Sequence, residues 1–318
     1  MKNIILGTMN IEYPYCSNSD TSLEYYQAIL EKYVCSCENP ILDTAYYYGN
    51  TKTEQVLGKI IPNLSITPRI ATKANPWFEN DFTNGKLGQL SKTALSNQLM
   101  MSLSNLGMEK VDIFYLHCPD YETPFTETLE TCDELWRKER FDAVGVSNFS
   151  KNQLGEILSI CETHGYNPPQ YYQGMYNIIC RKVEEIFPIL EEYEMMFWGY
   201  NPLAGGLLTG KYKDGIPISN TRFTNNSIYQ NIFWKPEILE PLSAFFQSDT
   251  CLKDSLQWVY YHSKLRANDK IILGISTLKQ LETNFRMIYA PVFYDFERIE
   301  YLNQIFSKIH EASPNYFY

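Results

Sequence analysis

Four polar residues stand at or just after the carboxyl ends of short apolar segments in this sequence. They are Asp43, Tyr48, Lys73 and His117. Functional side chains of parallel barrels gather at the carboxyl ends of the strands, so these four are predicted to meet at one face of such a barrel. Each residue alone could equally be structural, because the chain contains 25 tyrosines and a large protein normally contains the other three types.

Taken together, the four side chains have complementary chemistry. A free tyrosine hydroxyl has a pKa near 10, which is too high for ready proton donation at neutral pH. A lysine ammonium beside it lowers that pKa, and a carboxylate keeps a buried lysine charged. A neutral histidine can hydrogen-bond the oxygen that receives the proton. The set suits protonation of an oxygen on which negative charge develops, as in carbonyl reduction, and it contains no nucleophile–base pair of the hydrolase kind.

The order of apolar and amphipathic segments predicts the fold that would bring these residues together. Strand-like runs cover residues 3–6, 41–43, 69–73, 111–117, 143–147, 170–173, 195–200 and 271–275. Helical patterns lie between them, for example at residues 86–106, 126–138, 151–163, 183–193 and 278–288. Ser150 is predicted to cap the helix at 151–163. Eight strand-then-helix units predict an α/β fold, a (β/α)8 TIM barrel with a parallel sheet.

Two segments depart from the strand–helix repeat. Residues 205–235 are rich in Gly, Asn, Thr and Tyr, which predicts a long functional loop after the seventh strand. A C-terminal helix is predicted at residues 296–310, followed by a tail to residue 318. Because α/β barrels of about 250 residues form one domain, we expect residues 1–318 to be a single domain.

Composition excludes several classes of function. The 318 residues are 44% hydrophobic and carry a formal net charge of −10 without a basic stripe, so no nucleic-acid partner is expected. No apolar run approaches the roughly 20 residues that span a bilayer, and the first residues do not read as a signal peptide. The eight scattered cysteines are then expected to be reduced thiols. These features predict a cytoplasmic protein without membrane association.

A glycine-rich segment at residues 205–211 matches G-x-x-x-x-G-K, but Tyr212 stands where a P-loop needs Ser or Thr. A kinase or ATPase site is therefore disfavoured, although backbone amides of this turn could cradle a phosphate and Lys211 would add charge. No G-x-G-x-x-G segment follows a strand-like run, so a Rossmann site is unsupported. The cysteine-containing segments 35–37 and 161–164 lack a second half at zinc spacing, and no metal site is expected.

Several longer strings resemble the aldo-keto reductases, and the resemblance runs from end to end. The strings are LGTM at 6–9, DTAYYY at 43–48, ATK at 71–73, VDIFYLH at 111–117, GVSN at 145–148, YQGMYN at 172–177, NPLAGGLLTGKY at 201–212, ILGIS at 272–276 and PNYF at 314–317. The last three strings, with YQGMYN, point to the aflatoxin-aldehyde reductase branch. The resemblance implies a (β/α)8 barrel and metal-free, NADPH-dependent reduction of small aldehydes and ketones.

The resemblance also implies a role for each of the four polar residues. Tyr48 would be the general acid, Lys73 would lower its pKa, Asp43 would pair with Lys73, and His117 would orient the carbonyl. These assignments select Tyr48 as the proton donor over the neighbouring tyrosines of the same string. The branch forms dimers, which makes a homodimer an expectation for this chain.

The resemblance also implies which residues contact the cofactor and the substrate. Ser147, Asn148 and Gln173 would contact the nicotinamide amide, and Tyr200 would stack on the ring. The pyrophosphate would lie along Asn201, Leu203, Gly205, Leu207 and Lys211. The adenosine end would meet Arg222, Ser276, Gln280 and Asn284, with the arginine near a 2′-phosphate. Substrate contacts would come from His117, Tyr229, Ile232 and Tyr318.

The sequence departs from the branch at two substrate positions. Ile232 and Tyr318 stand where the branch has arginines that bind substrate carboxylates. Loss of both cations predicts a preference for uncharged, apolar or aromatic carbonyls.

Two other functions remain open from the sequence. One is a regulatory subunit that binds the cofactor but turns over slowly. The other is a Schiff-base aldolase that uses Lys73, which would leave the cofactor pattern unexplained.

Overall fold

The computed structural model describes residues 4–11, 23–80, 85–212, 218–219, 221–292 and 295–317. Eight parallel strands form a closed barrel in chain order, and the first strand pairs with the eighth. The strands are β1 Ile4–Gly7, β2 Ile41–Asp43, β3 Arg69–Ala74, β4 Val111–Leu116, β5 Phe141–Ser147, β6 Tyr171–Met175, β7 Met196–Tyr200 and β8 Lys270–Gly274. The TIM-barrel prediction is confirmed, and every predicted strand lies within two residues of an observed one.

Helices surround this barrel in the described part of the chain. They are α1 Leu23–Ser36, α2 Thr53–Ile60, α3 Lys92–Leu106, α4 Phe125–Arg137, α5 Lys151–His164, α6 Phe187–Glu192, α7 Arg222–Asn225, α8 Ser227–Phe233, α9 Pro236–Phe246, α10 Cys251–Gln257, α11 Leu278–Tyr289 and α12 Phe296–Ile309. No helix in these ranges is long and apolar enough to cross a membrane.

Helix α5 begins where the sequence predicts. Ser150 Oγ accepts from the amide of Gln153, and the Gln153 side chain accepts from the amide of Ser150, which completes a capping box. The helix ends at Gly165, whose φ of 67° suits a residue without a side chain. These caps hold the helix directly after the carboxyl end of β5.

Two predicted helices begin later than expected. The helix predicted at 86–106 starts at Lys92, because Lys86 and Gln89 pair through their backbones with Phe78 and Pro76 in the preceding loop. The helix predicted at 183–193 starts as a 3-10 turn, and α6 begins only at Phe187, just before Pro188. Proline removes an amide donor and is tolerated mainly in the first turn of an α-helix.

The long loop predicted at 205–235 is wrong in its described part. This stretch contains a 3-10 segment, Ala204–Thr209, and then the short helices α7 and α8. The Asn226 side chain caps α8 by accepting from two backbone amides. Helices of four and seven residues contain too few apolar repeats for a period to be recognised.

The C-terminal segment matches its prediction more closely. Helix α12 ends one residue before the predicted bound, and the tail that follows is fastened to the barrel. Tyr316 donates to Glu185 Oε1 at 2.6 Å and accepts from the amide of Lys151. The tail therefore covers the start of α5.

The barrel interior contains its own apolar cluster, separate from the larger core between strands and helices. Its buried members are Ile5, Ile41, Ala71, Ile113, Tyr115, Ala143, Tyr171, Trp198 and Ile272. Gly145 makes room for the Tyr115 ring, since a Cβ at that position would lie 2.4 Å from it. This packed layer forms the floor beneath the carboxyl ends of the strands.

Candidate active site

The structure brings the four predicted residues together above the barrel interior. Asp43 ends β2, Lys73 lies in β3, His117 follows β4, and Tyr48 lies in the turns after β2. Lys73 Nζ donates to Asp43 Oδ2 at 2.8 Å and to Tyr48 Oη at 3.4 Å. The Tyr48 and His117 rings are 5.9 Å apart.

Lys73 is fully buried, and all three of its N–H groups point at acceptors. The third acceptor is the carbonyl oxygen of Thr44, at 2.6 Å. Burial is the largest influence on the pKa of Lys73 and leaves it lowered, while the neighbouring Asp43 and, more weakly, Glu54 oppose that shift. A lysine that attacks a carbonyl needs an accessible lone pair on its nitrogen, and three acceptors already surround Nζ here, so this arrangement disfavours the Schiff-base alternative.

Asp43 is held from the opposite side of the barrel. Gln173 in β6 donates from Nε2 to Asp43 Oδ1 at 2.8 Å. Both carboxylate oxygens therefore accept a hydrogen bond, and the side chain is almost completely buried. A buried charge of this kind is stable only while its partners stay in place.

His117 is a neutral imidazole in this setting. Its pKa lies well below the ordinary value, because burial disfavours the cation and the Lys73 ammonium repels it. Nδ1 is buried and has no hydrogen-bond partner among the described residues. A neutral ring can offer one N–H to a substrate oxygen without competing for the proton on Tyr48.

Two aromatic residues that the sequence analysis missed form a wall beside His117. The Trp77 ring lies 5.4 Å from His117 and 5.5 Å from Tyr47, with the rings tilted or edge-on. Trp77 follows the carboxyl end of β3, so its position after a predicted strand could have identified it as a candidate site residue. An aromatic wall favours flat or apolar groups on the substrate side of the site.

The predicted nicotinamide residues are joined in one network. Asn148 has a positive φ of 61° and donates from Nδ2 to the His117 carbonyl at 2.9 Å and to Ser147 Oγ at 3.0 Å. Its Oδ1 accepts from Tyr200 Oη at 2.8 Å. Asn148 therefore retains one lone pair on Oδ1 for a further donor, and Ser147 retains its hydroxyl proton.

The glycine-rich turn after β7 is wound tightly on itself. The amide of Gly205 donates to Asn201 Oδ1 at 2.6 Å, so that amide is used within the turn. Gly205 and Gly206 have φ values of 68° and 98°, and a Cβ on Gly205 would lie 2.6 Å from the Tyr229 ring. The turn thus needs glycine for its conformation and for its contact with α8.

The other predicted pyrophosphate residues differ in what they can offer. Leu207 is completely buried in the apolar core, so only its backbone could face a ligand, and Leu203 is half-buried. Lys211 is exposed, and its ammonium lies over the Tyr212 ring and beside Gly206. Asn201 Nδ2 is buried without a partner among the described residues. Lys211 and Asn201 are the side chains suited to an anion here.

Three of the four predicted adenosine residues lie just after β8 and on α11. Gln280 Oε1 accepts from the amide of Ser276 at 2.7 Å, and Asn284 is buried one turn further along. Asn10 donates to Ser276 Oγ at 3.3 Å, a contact that the sequence did not predict. Arg222 begins α7, but its side chain is outside what the structure describes.

The predicted substrate residues are only partly placed. Tyr229 and Ile232 lie on α8, both half-buried against the apolar core. Tyr229 faces Gly205 in the turn after β7. Tyr318 lies outside the described residues.

Comparison with known sequences identifies the family. The sequence model of the Aldo/keto reductase family matches residues 3–305. Aflatoxin B1 aldehyde reductase member 2 of Rattus norvegicus is 36% identical, over 98% of this chain and 87% of its own length. Aflatoxin B1 aldehyde reductase member 4 of Homo sapiens is 35% identical, over 98% of this chain and 96% of its own length.

Solved structures agree with the fold. A thermostable aldo-keto reductase in complex with the inhibitor epalrestat superposes with a TM-score of 0.68 at 24% identity, covering 95% of this chain and 94% of its own. A glycerol dehydrogenase from Gluconobacter oxydans gives a TM-score of 0.71 at 21% identity, covering 98% and 93%. The barrel, the matched sequence model and the named reductases together show that this chain belongs to the aldo/keto reductase family of oxidoreductases.

Proposed function

We propose that this protein is an NADPH-dependent reductase that converts aldehydes or ketones to alcohols, with Tyr48 as the proton donor. The observation that carries the proposal is the chain of contacts from Asp43 through Lys73 to Tyr48. Asp43 holds Lys73 in place, and Lys73 in turn favours release of the proton from Tyr48. The names of the aflatoxin B1 aldehyde reductases, which match almost the whole chain, favour the same direction of reaction.

The reduced nicotinamide would supply the hydride when bound. Lys73 places a positive charge 3.4 Å from the Tyr48 oxygen, which favours the phenolate and so assists release of the proton. Asp43 holds that ammonium in place. His117, neutral and half-buried, offers a hydrogen bond to the same carbonyl oxygen and fixes its orientation. The protein's part in the reaction is thus to orient the carbonyl and protonate its oxygen.

The residues around the site fit a dinucleotide. Ser147 and the remaining lone pair of Asn148 suit a carboxamide, which has both a donor and an acceptor. The buried Asn201 Nδ2 and the Lys211 ammonium suit a pyrophosphate beside the glycine turn. Ser276, Gln280 and Asn284 would then take the adenosine end. We assign NADPH over NADH because Arg222 stands at the start of α7, where the family has a 2′-phosphate contact.

Substitution of Lys211 tests the assignment of the pyrophosphate. We expect Lys211→Met to weaken NADPH binding about tenfold, since a charge-assisted contact contributes about 1.5–3 kcal/mol and this one is partly exposed. The maximal rate at saturating NADPH should change little. Titration of protein fluorescence with NADPH gives the dissociation constant, and Lys235→Met, at the exposed N-cap of α9, is the matched control. Equal weakening in both variants would place the pyrophosphate elsewhere.

The test of the proposed function is NADPH oxidation with a panel of carbonyl compounds. We expect turnover of neutral aromatic aldehydes with a higher kcat/KM than succinic semialdehyde, because Ile232 provides no cation for a carboxylate. The aromatic wall of Tyr47 and Trp77 supports the same preference. A strong preference for the acid would contradict the substrate assignment. Binding of NADPH without turnover of any carbonyl would favour the regulatory-subunit alternative.

Restoring the missing cation sharpens the substrate test. Ile232→Arg should raise kcat/KM for succinic semialdehyde by about tenfold or more, the effect of one charge-assisted hydrogen bond, and leave the neutral aldehydes unaffected. Ile232→Gln has a similar length without the charge and serves as the control. If both variants raise the value equally, the gain is not electrostatic.

Two further proposals concern the chain as a whole. Residues 1–318 would form a single domain, which the pairing of β1 with β8 and the covering of α5 by the C-terminal tail favour. The protein would act in the cytoplasm, and a homodimer follows only from the resemblance to the branch.

A further inference from the structure

A second buried carboxylate lies on the other side of the barrel wall from the proton-donating residues. Glu54, on α2, is completely buried and takes no part in the chain from Asp43 to Tyr48. Its Oε1 accepts a hydrogen bond from Thr72 Oγ1 at 2.5 Å. Thr72 is the residue before Lys73 in β3, so the two side chains point to opposite faces of the same strand.

The surroundings of Glu54 are polar but incompletely paired. Oε2 has no hydrogen-bond partner among the described residues, and neither does Ser102 Oγ or Asn105 Nδ2 on α3. Both α3 side chains nevertheless lower the pKa of Glu54, as Thr72 does, so they lie close to the carboxylate although they do not meet hydrogen-bond geometry with it. Burying a carboxyl group costs free energy unless it is well hydrogen-bonded and paired with an opposite charge.

Glu54 and Lys73 act on each other through the strand. The pKa of Glu54 is raised to about 7, chiefly by burial, and Lys73 is among the groups that lower it. In return, Glu54 is among the groups that raise the pKa of Lys73. Among the largest influences on the pKa of Glu54, Lys73 is the charged residue, and α3 contributes the uncharged side chains of Ser102 and Asn105.

We propose that Glu54 is a positioning residue whose carboxylate, from outside the barrel wall, helps to keep Lys73 in its ammonium form. Asp43 does so from inside the barrel, and the two carboxylates act on the lysine from opposite faces of β3. The inference rests on the proposed function, because the ammonium matters there only if Tyr48 is the proton donor. The titratable groups around Lys73 are Asp43 on β2, Tyr48 after β2 and His117 after β4 on its own side of β3, and Glu54 on α2 on the other side.

The direct test measures the ionisation of Lys73 without substrate or cofactor. In a Tyr48→Phe background, which removes the hydroxyl that contacts the lysine, the ¹³Cε resonance of Lys73 is followed against pH and assigned with Lys73→Met. Adding Glu54→Gln should move this titration to lower pH by about half a unit to one unit, the order of effect of one nearby charge at an effective dielectric constant of about 20. Glutamine keeps the shape of the side chain and removes only its charge.

Thr72→Val is the matched control. It removes the hydrogen bond from Thr72 to Glu54 and keeps the carboxylate, so the Lys73 titration should stay where it is. An unmoved titration in Glu54→Gln, or an equal shift in Thr72→Val, would overturn the proposal and leave Glu54 as a purely structural residue. If Glu54→Gln does not fold, Glu54→Asp replaces it, because a shorter side chain withdraws the charge toward α2 and must shift the titration in the same direction.

The consequence for catalysis is measured separately, with Tyr48 present. Removing a nearby negative charge makes the Lys73–Tyr48 pair lose its first proton at lower pH, whichever atom releases it. The alkaline limb of kcat/KM should therefore move to lower pH in Glu54→Gln and not in Thr72→Val. If no variant, wild type included, reduces any carbonyl, the proposed function fails while the resonance titration still decides the role of Glu54.

Discussion

Tyr48→Phe is expected to lower kcat for carbonyl reduction by about 10²- to 10⁴-fold, the range of a positioned general acid. Phenylalanine keeps the ring that stands 5.9 Å from His117 and removes only the hydroxyl that lies 3.4 Å from Lys73. Affinity for NADPH should be unchanged, because the hydroxyl is assigned to the substrate oxygen. The measurement is NADPH oxidation with the best neutral aldehyde, together with a fluorescence titration of the cofactor.

The matched control for this substitution is Tyr47→Phe. Tyr47 is the preceding residue in the same string, and its ring contacts both Trp77 and His117. Losing its hydroxyl should change kcat by a few-fold at most, since the packing of the ring is retained. Comparable activity in Tyr48→Phe and wild type would refute Tyr48 as the donor. An equal loss in both variants would mean that the aromatic wall, and not proton transfer, was damaged.

The barrel could be predicted from the sequence because its signal is repeated eight times. Each strand is an apolar run followed by a helical pattern, and errors at single boundaries do not change the count. The positions of Asp43, Lys73 and His117 followed from the same signal, since each stands at a strand end. The contact between Gln173 and Asp43 could not be predicted this way, because it spans the barrel between strands that are not neighbours.

The segment after β7 shows where sequence reasoning failed. Its composition is typical of a loop, yet Asn226 caps a short helix there and packed aromatic rings stabilise it. The Tyr212, Phe223 and Trp234 rings lie 5.1–5.4 Å apart. Tertiary packing decides such short helices, and local propensity is a weak guide to them.

Glu54 was also missed, for a different physical reason. On a helix it reads as an ordinary exposed carboxylate, and its burial appears only when α2, α3 and β3 are packed together. Asn148 was named from the sequence, but its positive φ and its three side-chain hydrogen bonds were not, because they depend on the neighbouring strand ends. The sequence therefore did not predict the supporting contacts around the site.

Lys73→Met is expected to destabilise the fold by about 3–5 kcal/mol as well as to abolish most of the activity. Methionine fills much of the space of the lysine but cannot neutralise Asp43, which is 2% exposed. The carboxylate would then keep only its hydrogen bond from Gln173. Urea unfolding followed by circular dichroism measures the loss.

The double variant Asp43→Asn/Lys73→Met separates the charge from the packing. Because both members of the buried pair are removed, no uncompensated charge is left, and replacing such a pair by uncharged groups is often nearly neutral. We therefore expect the double variant to be more stable than Lys73→Met alone, while remaining inactive. If the double variant is the less stable of the two, the pair contributes to stability beyond its mutual neutralisation. If both variants are as stable as wild type, Asp43 is not a buried charge that needs its 2.8 Å contact with Lys73.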